Sequence, residues 1–141
     1  MLGTGKSDLI ESAVAMINGW PRIAALHDDL NPNLAGEFSC SSTSTSATIS
    51  FTNVPEVGTT NQNSFDITLH ESGQIEFDYG SIAIKDGLSG ISAGNLISDL
   101  ADPGSIDLSA NPNQAVSNLT YELFSPQNVN DLSNTSIIYT P

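Results

Sequence analysis

The chain has 141 residues, enough for one domain, and sets three Lys and Arg against sixteen Asp and Glu, a formal charge of −13. So few cations exclude a nucleic-acid binder held by counterion release, and they disfavour anionic membrane surfaces. Charged residues are only 13% of the chain, so Ser, Thr and Asn must supply much of the polar surface; the 38% hydrophobic content is low but sufficient for a core at this size. Cys40 is alone, which excludes an intramolecular disulfide and a cysteine-based zinc site. No apolar run approaches the roughly 18 residues that span a bilayer, and Met1–Lys6 lacks the apolar stretch of a secretory signal. The chain reads either as cytoplasmic or as a piece of a longer exported protein.

In chain order, residues 7–18 are predicted to form the one helix. Ser7 is the expected N-cap, and Asp8 falls in the first turn, where the helix dipole favours an anion. Leu9, Ile10, Ala13, Val14 and Ile17 make an apolar stripe, with Gly19 at the C′ position and Pro21 blocking continuation. From Arg22 onward the period changes to two. Ile49 and Phe51, then Phe65, Ile67 and Leu69, then Ile75, Phe77 and Tyr79 alternate with polar residues, as in antiparallel sheets covered on one face. Shorter strands are expected at Arg22–Leu26, Glu37–Ser41, Ser81–Lys85, Leu88–Ser92, Leu119–Phe124 and Ser136–Thr140. Turn signals separate them at Asn31–Asn33, Pro55–Gly58, Asp86–Gly87, Asp102–Gly104 and Asn111–Asn113. Residues 94–117 have the least pattern and read as a long surface excursion. The expected fold is mainly β: a single antiparallel β-sandwich domain over 1–141 with one short N-terminal helix.

One hairpin can be set in register. Glu71-Ser72-Gly73 suits a three-residue loop with Gly73 left-handed. His70 then faces Gln74, Leu69 faces Ile75, Thr68 faces Glu76, Ile67 faces Phe77, Asp66 faces Asp78 and Phe65 faces Tyr79. Apolar residues meet on one face and polar residues on the other, so both faces support the register.

The order of several segments resembles nidogen-like extracellular β-domains of bacteria. They are residues 21–32 (PRIAALHDDLNP), 49–56 (ISFTNVPE), 63–69 (NSFDITL), 73–80 (GQIEFDYG), 86–92 (DGLSGIS), Tyr121–Phe124, Asp131-Leu132 and 137–141 (IIYTP). The resemblance covers nearly the whole chain and lies in segment order rather than in any one motif. It implies a module of a large secreted or surface protein, without a conserved catalytic set. It thereby favours the exported piece over a cytoplasmic protein. Two departures stand out: family members commonly have an aromatic where this chain has His27, and they carry strands before the helix. The missing strands would leave a sheet edge unpaired, a route to a homo-oligomer.

Two clusters invite chemistry. Asp66 opposite Asp78, beside Thr68, Glu76 and His70, places like charges face to face, which Ca²⁺ would relieve with oxygen ligands. His70 with these carboxylates is also a candidate acid–base pair or transition-metal ligand, against the plainer reading of a solvated acidic face. His27-Asp28-Asp29-Leu30-Asn31-Pro32-Asn33 is the second cluster. Asp29, Asn31 and Asn33 alternate as in half a calcium loop. Leu34 replaces the required Gly and Cys40 the required Glu, so an EF-hand fails and Asx capping of a turn is the simpler use.

Catalysis would draw on His70, His27, Asp28 or Glu76 with one of many serines. No Gly-x-Ser-x-Gly elbow exists; Gly87-Leu88-Ser89-Gly90 has the wrong spacing. Phe38 and Cys40 share a strand face, which suggests burial. Gly3–Ser7 echoes the end of a P-loop without its first Gly or preceding strand, so no nucleotide is expected. Trp20, Phe38, Tyr79 and Tyr121 would serve a sugar-stacking platform, although their scatter favours core roles. Three functional readings stay open. The first is a non-catalytic extracellular module for adhesion, assembly or matrix contact, with a protein or glycan ligand and bound Ca²⁺ as its one candidate cofactor. The others are a small hydrolase and a carbohydrate-binding module. None inserts into a membrane.

Overall fold

The computed structural model describes residues 11–94 and 101–141. The fold is mainly β, the class that the alternation predicts, with two sheets and one short helix among the described residues. In chain order the elements are α1 (Ala13–Asn18), β1 (Arg22–His27), β2 (Glu37–Ser42), β3 (Ser46–Val54), β4 (Asn63–His70), β5 (Ile75–Tyr79), β6 (Gly87–Ser92), β7 (Asn113–Ala115), β8 (Leu119–Phe124) and β9 (Ser136–Thr140). They form two compact units. The first comprises the described residues of Met1–Asp29, Lys85–Asp107 and Ser117–Val129; the second comprises Leu30–Ile84, Leu108–Val116 and Asn130–Pro141.

In the first unit β1, β6 and β8 make an antiparallel sheet in the order β1-β6-β8. One of its faces carries Ala24, Leu88, Leu119 and Tyr121, and Met16 of α1 completes this buried cluster with Ala13 and Ile17 beside it. The Ser92 hydroxyl donates to the Met16 carbonyl at 2.7 Å and fixes the helix to the sheet. At Gly90 (φ +153°) an added Cβ would lie 2.2 Å from the Thr120 carbonyl oxygen, so the close passage of β8 requires glycine.

The helix departs from expectation. It begins at Ala13, not residue 7, because Ser12 is extended (φ −145°, ψ 149°) and its hydroxyl accepts from the Ala15 N–H at 3.1 Å, a strong N-cap. The expected cap Ser7, with Asp8, Leu9 and Ile10, lies outside the described residues. With the start at Ala13 the i, i+3, i+4 face is Ala13, Met16 and Ile17, which turns Val14 out to 66% exposure instead of into the stripe. Gly19 is also not left-handed (φ −85°). Its lack of a side chain serves space instead, since a Cβ would meet the Ala15 carbonyl at 2.7 Å.

The second unit is a six-stranded sheet in the order β2-β3-β4-β5-β9-β7. The β4–β5 hairpin has the register read from sequence, Phe65↔Tyr79 through Leu69↔Ile75 with Asp66↔Asp78. Its loop closes through His70 N–H to Gln74 O (3.0 Å) and Gly73 N–H to His70 O (2.9 Å), with Gly73 at φ +88°. Ile49, Phe65, Ile67, Phe77, Tyr79, Ile137 and Tyr139 are buried on the apolar face. Aromatic rings run along one row of that face: Phe38 meets Phe51 edge-on at 5.2 Å, Phe51 stacks on Phe65 at 4.6 Å, and Phe65 lies 6.4 Å from Tyr79.

Three expectations are corrected in this unit. Ser81–Lys85 is not a strand, because its donors go to side chains instead of a ladder. Asn63 Oδ1 accepts from Ala83 N–H (2.7 Å) and Ile84 N–H (3.1 Å), and Ser133 Oγ accepts from Ile82 N–H (3.0 Å). Phe38 and Cys40 are exposed rather than buried, because β2 is an edge strand with all six residues exposed. The unpatterned stretch after residue 94 contains β7, which pairs parallel with β9, the one parallel pairing among the described strands. Elsewhere in that stretch Ile106 N–H donates to the Tyr121 carbonyl (3.0 Å), so part of it is bound to β8; residues 95–100 lie outside the described set.

Candidate functional site

The polar face of the six-stranded sheet gathers the larger set of sequence candidates. Strand pairing aligns Ser39, Ser50, Asp66, Asp78 and Ser136 in one row across five strands. The next row is Ser41, Thr48, Thr68, Glu76 and Ile138, and Ser46 pairs with His70 beyond it. Alternation places these side chains on one face because successive residues of a strand point to opposite sides. The groups bond to one another along the rows. Thr48 and Thr68 hydroxyls are 3.0 Å apart, and the Ser136 hydroxyl donates to Asp78 Oδ1.

His70 Nε2 and Glu76 Oε2 are 3.2 Å apart on diagonal positions of the hairpin. Each side chain is about a quarter to a third exposed, so the pair contributes on the order of 0.5 kcal/mol. An open depression of about 410 Å³ lies beside it, lined by Thr45, His70, Glu71 and Ser72. Ser46 is the serine nearest in register, and its hydroxyl bonds to Thr43 Oγ1 at 2.9 Å. A hydrolytic site needs the serine hydroxyl held by the imidazole. Here the hydroxyl is turned to the neighbouring turn.

The like-charged pair Asp66 and Asp78 sits directly cross-strand, as the register requires. Among the described residues, no third His, Cys or carboxylate joins them in a ligand set. The hydrogen bond from Ser136 neutralises part of the repulsion on the Asp78 side.

The His27 cluster is divided between the two units. His27 ends β1, is buried at 4% exposure, and has Nε2 3.5 Å from Arg22 Nη1. Guanidinium nitrogen only donates, so in this contact Nε2 stands as the acceptor. Asp28 Oδ1 accepts from the Asp29 N–H at 2.6 Å. In the second unit Asn31 Oδ1 accepts from the Asn33 N–H at 3.1 Å, an Asx turn, and Asn31 N–H donates to the Pro55 carbonyl at 2.8 Å. Asn31 and Asn33 thus shape a turn.

The four aromatics of the sugar-platform reading separate. Tyr79 and Tyr121 are buried, whereas Trp20 is 74% and Phe38 53% exposed. Tyr121 donates its hydroxyl hydrogen to Asp102 Oδ1 at 2.8 Å. Burial first, then the hydrogen bond and charge of Asp102, push its phenol up to about 12.

Sequence reasoning missed Glu122. It lies on β8 at 1% exposure, accepts from Asn128 Nδ2 at 3.1 Å, and has a carboxylate oxygen within 4.8 Å of one from Asp107. A single Glu in the run Leu119–Phe124 reads as an outward polar position, so period two carries no signal of its burial. No protein-family model, curated protein or solved structure matches the chain.

Proposed function

We propose that the chain is a non-catalytic recognition and structural module of a bacterial protein exported to the medium or cell surface, built like the nidogen-like β-domains that its segment order resembles. The observation that supports it is the polar face of the second unit. Hydroxyls and carboxylates lie in register across five strands, and Thr48 with Thr68 and Asp78 with Ser136 are bonded side to side instead of converging on a reacting centre. Such a face offers many weak hydrogen bonds over an open surface, which suits adhesion or assembly with a protein or glycan. Ca²⁺ is the cation this reading calls for, because it would relieve the Asp66–Asp78 pair and the Asp107–Glu122 pair.

Thermal unfolding with added Ca²⁺ and with EDTA, at fixed protein concentration, tests the cation. A ligand that binds only the folded state stabilises it by about 2.7 kcal/mol at one hundred times its Kd. The expected result is a higher midpoint with Ca²⁺, reduced in Asp66→Asn or Glu122→Gln. An unchanged midpoint removes Ca²⁺ from the proposal.

The second reading, a small hydrolase, rests on the 3.2 Å His70–Glu76 pair beside the depression. An ester and glycoside screen separates the two. Turnover that disappears in a folded His70→Ala variant would establish the hydrolase and end the non-catalytic reading.

A further inference from the structure

The six-stranded sheet ends on one side in β2, and all six of its residues are exposed. The opposite edge, β7, has only three. In the turn that joins β2 to β3, Thr43 N–H donates to the Ser46 carbonyl at 2.9 Å, which makes 43 and 46 a hydrogen-bonded pair. Antiparallel alternation then directs the backbone groups of Ser41, Ser39 and Glu37 toward β3. Those of Phe38, Cys40 and Ser42 point away from the sheet, three N–H donors and three carbonyl acceptors in line.

Natural edges are commonly blunted by Lys, Pro or a bulge. β2 has no Lys and no Pro, and its register with β3 runs unbroken from Glu37 to Ser42. Its apolar side continues the aromatic row outward, leaving the Phe38 ring half exposed at the rim. Charge selects the occupant. The second unit holds seven carboxylates and neither Lys nor Arg, since the three cations of the chain are Lys6, Arg22 and Lys85. A second copy would bring the same negative charge to this edge, whereas a cationic strand would be attracted to it.

We propose that β2 is a docking edge for an extended, basic segment of a partner polypeptide, which adds a seventh strand to the sheet. Side chains of that segment alternate. One set, apolar, covers Phe38 and Cys40; the other, Lys or Arg, lies beside Glu37 and the acidic polar face. The inference stands on the edge and the charge, and does not depend on the Ca²⁺ reading.

The test uses the full chain and a capped peptide of about seven residues alternating lysine and valine. Cys40 is exposed, so its rate of alkylation by iodoacetamide reports occupancy of the edge. Saturating peptide is expected to slow alkylation about tenfold or more and to shift the amide signals of Phe38, Cys40 and Ser42, with affinity falling as salt rises. Cys40→Pro removes one outward N–H that the β3 ladder does not use, so it should fold and lose binding of a dye-labelled peptide. A peptide with the same side chains and every backbone nitrogen methylated tests the same point on the unaltered protein, and should not bind. Equal binding by the methylated peptide, or by one with glutamate in place of lysine, overturns the proposal. So does unchanged alkylation at millimolar peptide, or sedimentation as a dimer that protects Cys40 without peptide, which would make a second copy the occupant.

Discussion

Tyr121 and Asn63 are single residues on which local structure depends. Tyr121 is buried at 3% exposure with its phenol raised from 10.0 to about 12. A raised folded-state value means that the folded form holds the proton more tightly than the unfolded chain. The associated stability, on the order of 2 kcal/mol, is present in full below about pH 10 and lost as pH rises through about 12. Tyr121→Phe should therefore be less stable than the parent at neutral pH, having lost the Asp102 bond, and should show a shallower alkaline decline. Denaturant midpoints of both proteins across that window check this; parallel curves would count against it. Asn63 is fully buried and satisfies three backbone groups, donating to the Val54 carbonyl (3.1 Å) and accepting from the Ala83 and Ile84 amides. Asn63→Ala strands all three, so a loss of about 2–4 kcal/mol is expected in urea unfolding. Hydrogen exchange at Ala83 and Ile84 should rise first, because their amides have that side chain as acceptor.

At the scale of elements, the β4–β5 hairpin shows how much two-faced patterning specifies. A one-residue slip would put Phe65, Ile67 and Leu69 opposite polar residues, and Gly73 supplies the left-handed turn that only one register allows. That register brings Asp66 and Asp78 together at a cost. Asp66→Asn keeps the shape and removes one charge, so in EDTA it should raise stability by a few tenths to about 1 kcal/mol. A decrease would mean that the Asp66 carboxylate makes a favourable contact worth more than the repulsion. The elements that patterning misplaced fail for local reasons. Among the described residues Ser12 caps the helix through its bond to the Ala15 N–H, so α1 starts at Ala13. Ser81–Ile84 has strand-like composition, yet its amides are taken by Asn63 and Ser133. β7 is three residues, Asn-Gln-Ala, too short and too polar to alternate, and it exists because Thr140 and Pro112 carbonyls accept from Val116 and Ile138 at its ends.

For the whole molecule, net charge is an influence on stability that composition alone reveals. A chain at −13 with three cations repels itself in the compact state. Monovalent salt in the range of about 0.1 to 0.5 M should raise the unfolding midpoint, since screening at a Debye length near 10 Å or less weakens that repulsion. A fall with salt would mean that attractive pairs such as His70–Glu76 outweigh the repulsion, contrary to their partial exposure. Composition and period two by themselves determined the β class, most strand positions and the hairpin register. These depend on local alternation and turn chemistry, which are written in consecutive residues. Only the tertiary structure decided which polar residues are buried and which apolar ones are not. Glu122 is buried and Phe38 exposed, because burial depends on whether a strand lies within a sheet or at its edge. It alone decided that the Ser46 hydroxyl bonds Thr43 and leaves the His70–Glu76 pair, which the hairpin register had already brought together, without a serine held by the imidazole, because a hydroxyl's partner is set by side-chain rotation that alternation does not encode.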